Sequence, residues 1–243
     1  MPELPVLRPE DLSRFERDRA TIARDLANAV RGEVRFGAHD RGLYATDASI
    51  YQVEPLGVVI PESIADVEAA VRFCAGRGIP MLPRGGGTSL AGQCVNRAVV
   101  LDVSAHCRGV TRVNAEAGWC EAQAGTTIDE VNRHLAPTGL FFAPDPSTLR
   151  QANIGGCIGN NAAGTRSVRY GRTSENILAI DAVLATGASV RFDNGAATRD
   201  PVVRRITAEV IDVVQRHERL IRERFPKTMR RNAGYGLDMI LEQ

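Results

Sequence analysis

From Leu82 to Gln93 the chain reads Leu-Pro-Arg-Gly-Gly-Gly-Thr-Ser-Leu-Ala-Gly-Gln, a glycine run followed by two hydroxyl side chains. Glycine costs backbone entropy and packs nothing, so such a run marks a backbone that something must approach closely. Successive N–H groups in a turn of this kind form a concave set of donors suited to phosphate oxygens. Two familiar nucleotide loops do not fit. A Walker A loop ends in Gly-Lys-Ser/Thr, and this stretch has no lysine. A dinucleotide fingerprint begun at Gly85 needs its third glycine where Leu90 stands. Taken alone, the stretch also fits a flexible surface turn.

A second block sets it in context: Phe141-Phe142-Ala143-Pro144-Asp145-Pro146-Ser147, then Ile154-Gly155-Gly156-Cys157-Ile158-Gly159-Asn160-Asn161-Ala162-Ala163-Gly164, then Arg169-Tyr170-Gly171-Arg172. Two glycine-rich blocks on strand-adjacent loops of separate lobes would face each other across a cleft. A long diphosphate ligand needs that arrangement, with N–H donors from several segments and no Cβ in the way.

Other chemistry is sparse. His39, His106, His134 and His217 read as solvated or structural, and Trp119 as core. Asp145 fits either a ligand contact or the turn before Pro146, and Asn160 and Asn161 fit turn or cap roles as well as ligand contacts. Cys74, Cys94, Cys107, Cys120 and Cys157 are widely spaced with no C-x-x-C, which argues against a disulfide framework, a zinc ribbon or an iron–sulfur cluster here. Cys94, close to the first glycine run, reads as a small buried thiol. No metal site is expected. Lys227 is the sole lysine among 30 Lys and Arg residues, so lysine-dependent chemistry has one candidate.

The elements that must position these loops follow from periodicity. Residues 1–50 read as a polar arm and an amphipathic helix with Ile22, Leu26 and Val30 inward. Leu56–Ile60 predicts a strand, Ile64–Ala75 a helix opened by Ser63 with Asp66 three positions on, and Ile79–Leu82 a second strand. This is a parallel crossover unit, whose loops at the strands' C-terminal ends are where ligands of α/β sheets gather. From Gly109 the pattern changes. Val110–Asn114 and Trp119–Ala124 predict a hairpin, Thr126 and Asp129 open a helix, and Ile177–Ala185 and Ser189–Phe192 predict another hairpin. Pro201 starts a long helix with Val203, Ile206, Val210, Val213 and Val214 inward. The resulting organisation is an N-terminal arm and helix (1–50), a domain at 51–228 with lobes at 51–108 and 109–228, and at 229–243 the opening of a further element.

The chain has 243 residues, 44% hydrophobic and 24% charged, with a net charge of +1, which is ordinary for a globular domain with a real core. That charge gives no electrostatic case for nucleic acid or an anionic membrane. The charged, proline-containing start is neither a signal peptide nor a span. A reducing, cytoplasmic compartment is expected, with peripheral contact to the inner membrane left open.

In their order, Arg-Gly-Gly-Gly-Thr-Ser, Pro-Asp-Pro-Ser-Thr, Ile-Gly-Gly with Asn161-Ala162-x-Gly164, Tyr170-Gly171 and Ala185-x-Gly187 resemble the FAD-binding domain of the vanillyl-alcohol oxidase and p-cresol methylhydroxylase superfamily. Within it the chain is most similar to the FAD-linked 2-hydroxyacid dehydrogenases, namely D-lactate dehydrogenase, the glycolate oxidase flavin subunit and D-2-hydroxyglutarate dehydrogenase. The first loop with Gly159-Asn160-Asn161 looks most like long bacterial members that carry an iron–sulfur region behind the flavin domain. The resemblance implies a two-lobed α+β FAD-binding fold. Arg84, Gly85, Gly86, Gly87, Thr88 and Ser89 would offer backbone donors to the pyrophosphate, with Gly92 and Gln93 nearby. Pro144, Asp145, Pro146 and Ser147 would border the ribityl chain and flavin. Gly155, Gly156, Asn161 and Gly164 would complete the cradle, and Ile177, on a strand, would meet adenine through its backbone.

Cys157 departs from the family, many of whose members place Asn directly after Ile-Gly-Gly. Thr88 and Ala152-Asn153 stand where covalent members have histidine or cysteine, so the resemblance implies non-covalent FAD. The implied reaction is hydride transfer from a D-2-hydroxy acid, D-lactate foremost, to flavin N5, with electrons passed to an iron–sulfur/quinone or cytochrome acceptor. Alternatives are the same chemistry on glycolate, 2-hydroxyglutarate or an alditol, and a non-catalytic flavin module completed by a partner chain. In this family substrate-binding and catalytic groups come mainly from a cap domain, which would begin where the chain ends at Gln243. No catalytic residue is therefore assigned.

Overall fold

A computed structural model describes residues 8–228 and 234–242. Helices α1 (Pro9–Arg17) and α2 (Arg19–Ala29) come first. Where the sequence predicts an arm, Pro9 begins a helix, tolerated in the first turn because no N–H is needed there, and Phe15 is buried. Ile22, Leu26 and Val30 are buried as predicted. Next come β1 (Glu33–Arg35), α3 (Ala38–Leu43), β2 (Gly57–Ile60), α4 (Ile64–Ala75), β3 (Met81–Arg84) and β4 (Val99–Asp102). These strands form one sheet in the order β1-β2-β4-β3, with β1 antiparallel to β2 and the others parallel. The predicted crossover is parallel, and β4 returns to lie between its two strands.

Strands β2 and β4 are buried along their length. Pleating splits them between two faces. Val59, Val99 and Leu101 pack with Phe15, Leu26, Ala70 and Cys74 from the helices. Val58, Ile60 and Val100 point the other way, against Tyr44 and Leu82. Strand β3 starts at Met81 rather than Ile79 and runs to Arg84, so the glycine run begins directly at a strand's C-terminal end.

Ser63 caps α4 by accepting the Asp66 N–H at 3.3 Å. The Asp66 carboxylate does not complete a capping box. It accepts N–H groups from Arg31 (2.9 Å), Gly32 (3.0 Å) and Glu62 (3.0 Å), joining the α2–β1 turn to α4. Burial works to raise the Asp66 pKa, and these three N–H groups outweigh it, holding the carboxyl below its ordinary value.

The remainder contains the hairpin β5 (Val110–Asn114) and β6 (Trp119–Ala122), then α5 (Ile128–Leu135), α6 (Ile154–Gly159) and α7 (Ser167–Tyr170). A second hairpin, β7 (Ala179–Val183) and β8 (Ser189–Asp193), precedes α8 (Ala196–Arg199), α9 (Pro201–Arg216), α10 (Glu218–Arg224) and α11 (Leu237–Ile240). The cap of α5 lies one residue later than predicted, with Thr127 and Glu130 forming the reciprocal box. Thr126 is buried instead, and its hydroxyl accepts the Gly109 N–H at 2.8 Å. Trp119 is half-buried beneath Arg112, 5.0 Å from the ring centroid, rather than core.

Asp200 caps α9, and Val203 and Val214 are buried, but Val210 and Val213 are 39% and 42% exposed rather than inward. The β7–β8 ribbon packs against the start of this helix, where Val190 and Phe192 meet Val202 and Val203. The ribbon rests on α4, where Ser189 donates to Glu68 and Gly187 lies against the Arg72 stem. Of the segment predicted to open a further element, residues 229–233 and 243 lie outside the described residues. Helix α11 packs against α9 and α10. No helix among the described residues is long and apolar enough to cross a membrane.

Candidate functional site

Arg84 ends β3 and closes the first glycine loop onto its far side. Its Nη1 donates to Cys94 O (2.9 Å) and Tyr44 O (3.3 Å), and its Nη2 to Thr46 O (2.8 Å). The guanidinium lies 5.3 Å from the Tyr44 ring centroid. Tyr44 Oη donates to Asp102 Oδ2 at 2.6 Å, and Asp102 Oδ1 accepts from Ser104 N (2.8 Å) and Oγ (2.6 Å). Burial, then the Asp102 contact, pushes the Tyr44 phenol well above its ordinary pKa. Ala48 N donates to Gly87 O (3.0 Å) and Cys94 N to Asp47 Oδ2 (3.2 Å), so segment 44–48 braces the loop. The Arg84 side chain thus donates to three backbone carbonyls.

The glycines answer to several constraints. A Cβ at Gly85 would stand 2.5 Å from Asn153 Oδ1, and one at Gly86 would strike the Gln151 carbonyl. Gly87 has φ +65° and Gly92 φ +78°, and a Cβ at Gly92 would meet the Tyr51 ring at 2.7 Å. The neighbouring loop therefore demands Gly85 and Gly86, whose place the sequence reading attributed to a ligand. Gly86 N donates to Asn153 Oδ1, which removes it from the predicted phosphate donors. Among the described residues the N–H groups of Gly87 and Thr88 meet no acceptor.

The second block runs beside the first in the same direction. Gly86 meets Asn153 and Gln93 Nε2 donates to Asn160 Oδ1 (3.3 Å), each pair 67 residues apart in the chain. Ser89 Oγ contacts the Gln93 amide oxygen and fixes that bridge. Asn153 precedes α6, and its Nδ2 donates to Gly125 O. Ile154 N and Gly155 N donate to Thr126 O (2.8 Å) and Ala124 O (2.9 Å). Gly156 is exposed, with open space where its Cβ would be. Cys157 turns into the core with Ile128, Ala152 and Ile154, and burial pushes its thiol up to about 11.

Several predicted site residues serve the scaffold. Asn161 is left-handed (φ 47°), and its Oδ1 accepts Ser174 N at 3.0 Å. Asp145 Oδ1 accepts Arg166 N at 2.7 Å, and Gly164 lies against the Asp145 carbonyl, so the Asp145 side chain ties two distant segments rather than the turn before Pro146. Pro144 is buried beside it, Pro146 half-buried and Ser147 exposed. Ile177 is not on a strand; it lies in the extended link two residues before β7. All four histidines are exposed, and no metal-binding cluster occurs among the described residues. Sequence reasoning missed Asn153 as a joint, along with Tyr44 and Asp102. The only sequence signal for Asn153 was an Asn at a helix N-cap position, and there it makes no cap bond.

Fold and site together define the α+β FAD-binding fold of the vanillyl-alcohol oxidase/p-cresol methylhydroxylase type. Its backbone superposes on alkyldihydroxyacetonephosphate synthase with a TM-score of 0.65 at 19% identity, over 80% of this chain and 37% of that one, a likeness in fold alone. The FAD binding domain family matches residues 55–193, and the chain belongs to that family, whose cofactor is FAD. It is 36% identical to a D-2-hydroxyglutarate dehydrogenase of Pantoea ananatis, over 87% of this chain and 22% of that protein. It is 30% identical to the glycolate oxidase subunit GlcD of Bacillus subtilis, over 67% of this chain and 35% of that one. The chain thus spans about a fifth to a third of the curated relatives it matches.

Proposed function

We propose that this chain is the FAD-holding part of an oxidoreductase acting on a D-2-hydroxy acid. The observation that carries this reading is the pair of glycine-rich loops held side by side, with unengaged N–H groups at Gly87 and Thr88 and open space over Gly156. That surface fits a diphosphate, which needs outward donors and no Cβ in its path. Gly87, Thr88 and Ser89 hold the pyrophosphate. Gly155, Gly156, Asn161 and Gly164 shape the opposite wall, with Asn161 contributing through its backbone. Pro144 to Ser147 border the flavin, and Ile177 meets adenine. FAD is held non-covalently, because Thr88 and Asn153 offer no linking atom.

Bound flavin supplies hydride acceptance from the substrate α-carbon and onward electron transfer. The protein's part is to exclude water along the loops and to fix the cofactor's orientation. In this reading residues 51–228 form the FAD domain, with lobes at 51–108 and 109–228, and a cap-bearing segment or partner chain contacts it from 229 onward. The compartment is cytoplasmic, with the electron acceptor an iron–sulfur or quinone system. The identity to a D-2-hydroxyglutarate dehydrogenase makes D-2-hydroxyglutarate the first substrate to test, ahead of D-lactate and glycolate.

Anaerobic addition of each acid to the FAD-loaded protein tests this. Bleaching of the visible flavin band by one D-2-hydroxy acid supports the oxidoreductase. Retained flavin with no bleaching by any of them favours the second reading, a flavin module completed by another chain.

A further inference from the structure

We propose that Asn153 is a positioning residue that sets the first glycine loop for its ligand without touching that ligand, a role that rests on the FAD-holding reading. Asn153 is 4% exposed, and its amide is used at both ends: Oδ1 accepts Gly86 N and Nδ2 donates to Gly125 O. Gly125 is a fixed point. Its N–H donates to Cys107 O at 2.9 Å, and a Cβ there would strike the Val103 carbonyl. The Asn153 backbone is fixed as well, through its bridge to Thr127 and the Ile154 and Gly155 bonds to residues 126 and 124.

The amide therefore hangs from a rigid seam and reaches the loop at Gly86, where the absent Cβ of Gly85 makes room for it. Pulling the Gly86 N–H inward fixes one peptide plane, and the next two N–H groups, at Gly87 and Thr88, meet no acceptor among the described residues. Without Asn153 the loop loses its link to Gly125. Preorganisation of donors is what such a loop contributes to anion binding, so its loss weakens affinity through the free state.

Backbone hydrogen exchange and FAD titration of Asn153→Ala and Asn153→Asp test the proposal. Without FAD, the Gly86 amide is expected to be protected in the unaltered protein and to exchange freely in Asn153→Ala. FAD affinity should fall at least about tenfold, which corresponds to about 1.4 kcal/mol. Asn153→Asp keeps the acceptor for Gly86 but loses the donor to Gly125, so Gly86 should exchange faster and FAD should bind more weakly than in the unaltered protein. An Asn153→Ala protein with unchanged Gly86 protection or unchanged FAD affinity would overturn the latch. If Asn153→Ala does not fold, an Asn153→Asp protein with unchanged Gly86 protection and unchanged FAD affinity overturns it equally. Absence of FAD uptake by the unaltered protein sinks the cofactor reading, while Gly86 exchange still decides the latch.

Discussion

Asp66 shows how much one polar side chain carries in this molecule. It is 5% exposed and accepts three backbone N–H groups from two separate segments. Asp66→Ala leaves those donors without a partner in a buried setting, and the expected loss is about 3 kcal/mol in chemical denaturation. The carboxyl titrates below its ordinary value in the fold, so the unfolded chain binds the proton more readily. Its contribution is therefore full above the unfolded pKa, roughly 3.9, and is lost as pH falls through the lower folded value. The stability gap between the unaltered protein and Asp66→Ala should narrow in acid, and a gap that held constant to low pH would contradict this. The sequence shows Asp66 at a helix start, but two of its three partners lie 34 and 35 residues away, beyond any local rule. Asn153 was hidden for the same reason. It stands just before α6 without capping it, and its amide joins segments 28 and 67 residues away.

Secondary structure was legible where one face repeats. Helix α4 has its predicted limits, and both hairpins fall within one or two residues of theirs. The differences arise where partners are non-local or signals compete. Strand β4 enters between β2 and β3 because pairing is settled by sheet burial, which a strand–helix–strand pattern cannot order. Two adjacent threonines compete for the α5 cap. Thr127 takes it because Glu130 can return the bond, its carboxylate accepting Thr127 N at 3.0 Å. Thr127→Ala should therefore cost about 1 kcal/mol by thermal or denaturant unfolding, and Asp129→Ala much less. Equal losses would point to the predicted cap after all. The apolar face predicted for α9 holds at Val203 and Val214, which are buried, and fails at Val210 and Val213, which stay exposed.

At the scale of the whole molecule, two glycine blocks separated by 67 residues lie side by side, joined at Gly86–Asn153 and Gln93–Asn160. The sequence supported a facing arrangement and a diphosphate ligand. It could not separate glycines needed by the neighbouring loop (Gly85, Gly86) from those leaving donors or space outward (Gly87, Gly156), because both uses select glycine. The central claim is that this paired-loop surface holds FAD. Titration of FAD into flavin-free protein, followed by flavin fluorescence and by the unfolding temperature, tests it most directly. The account predicts saturable uptake of one FAD per chain with a rise in unfolding temperature, since a ligand of the folded state stabilises it. Fluorescence that shows no saturation, with an unchanged unfolding temperature, would contradict it.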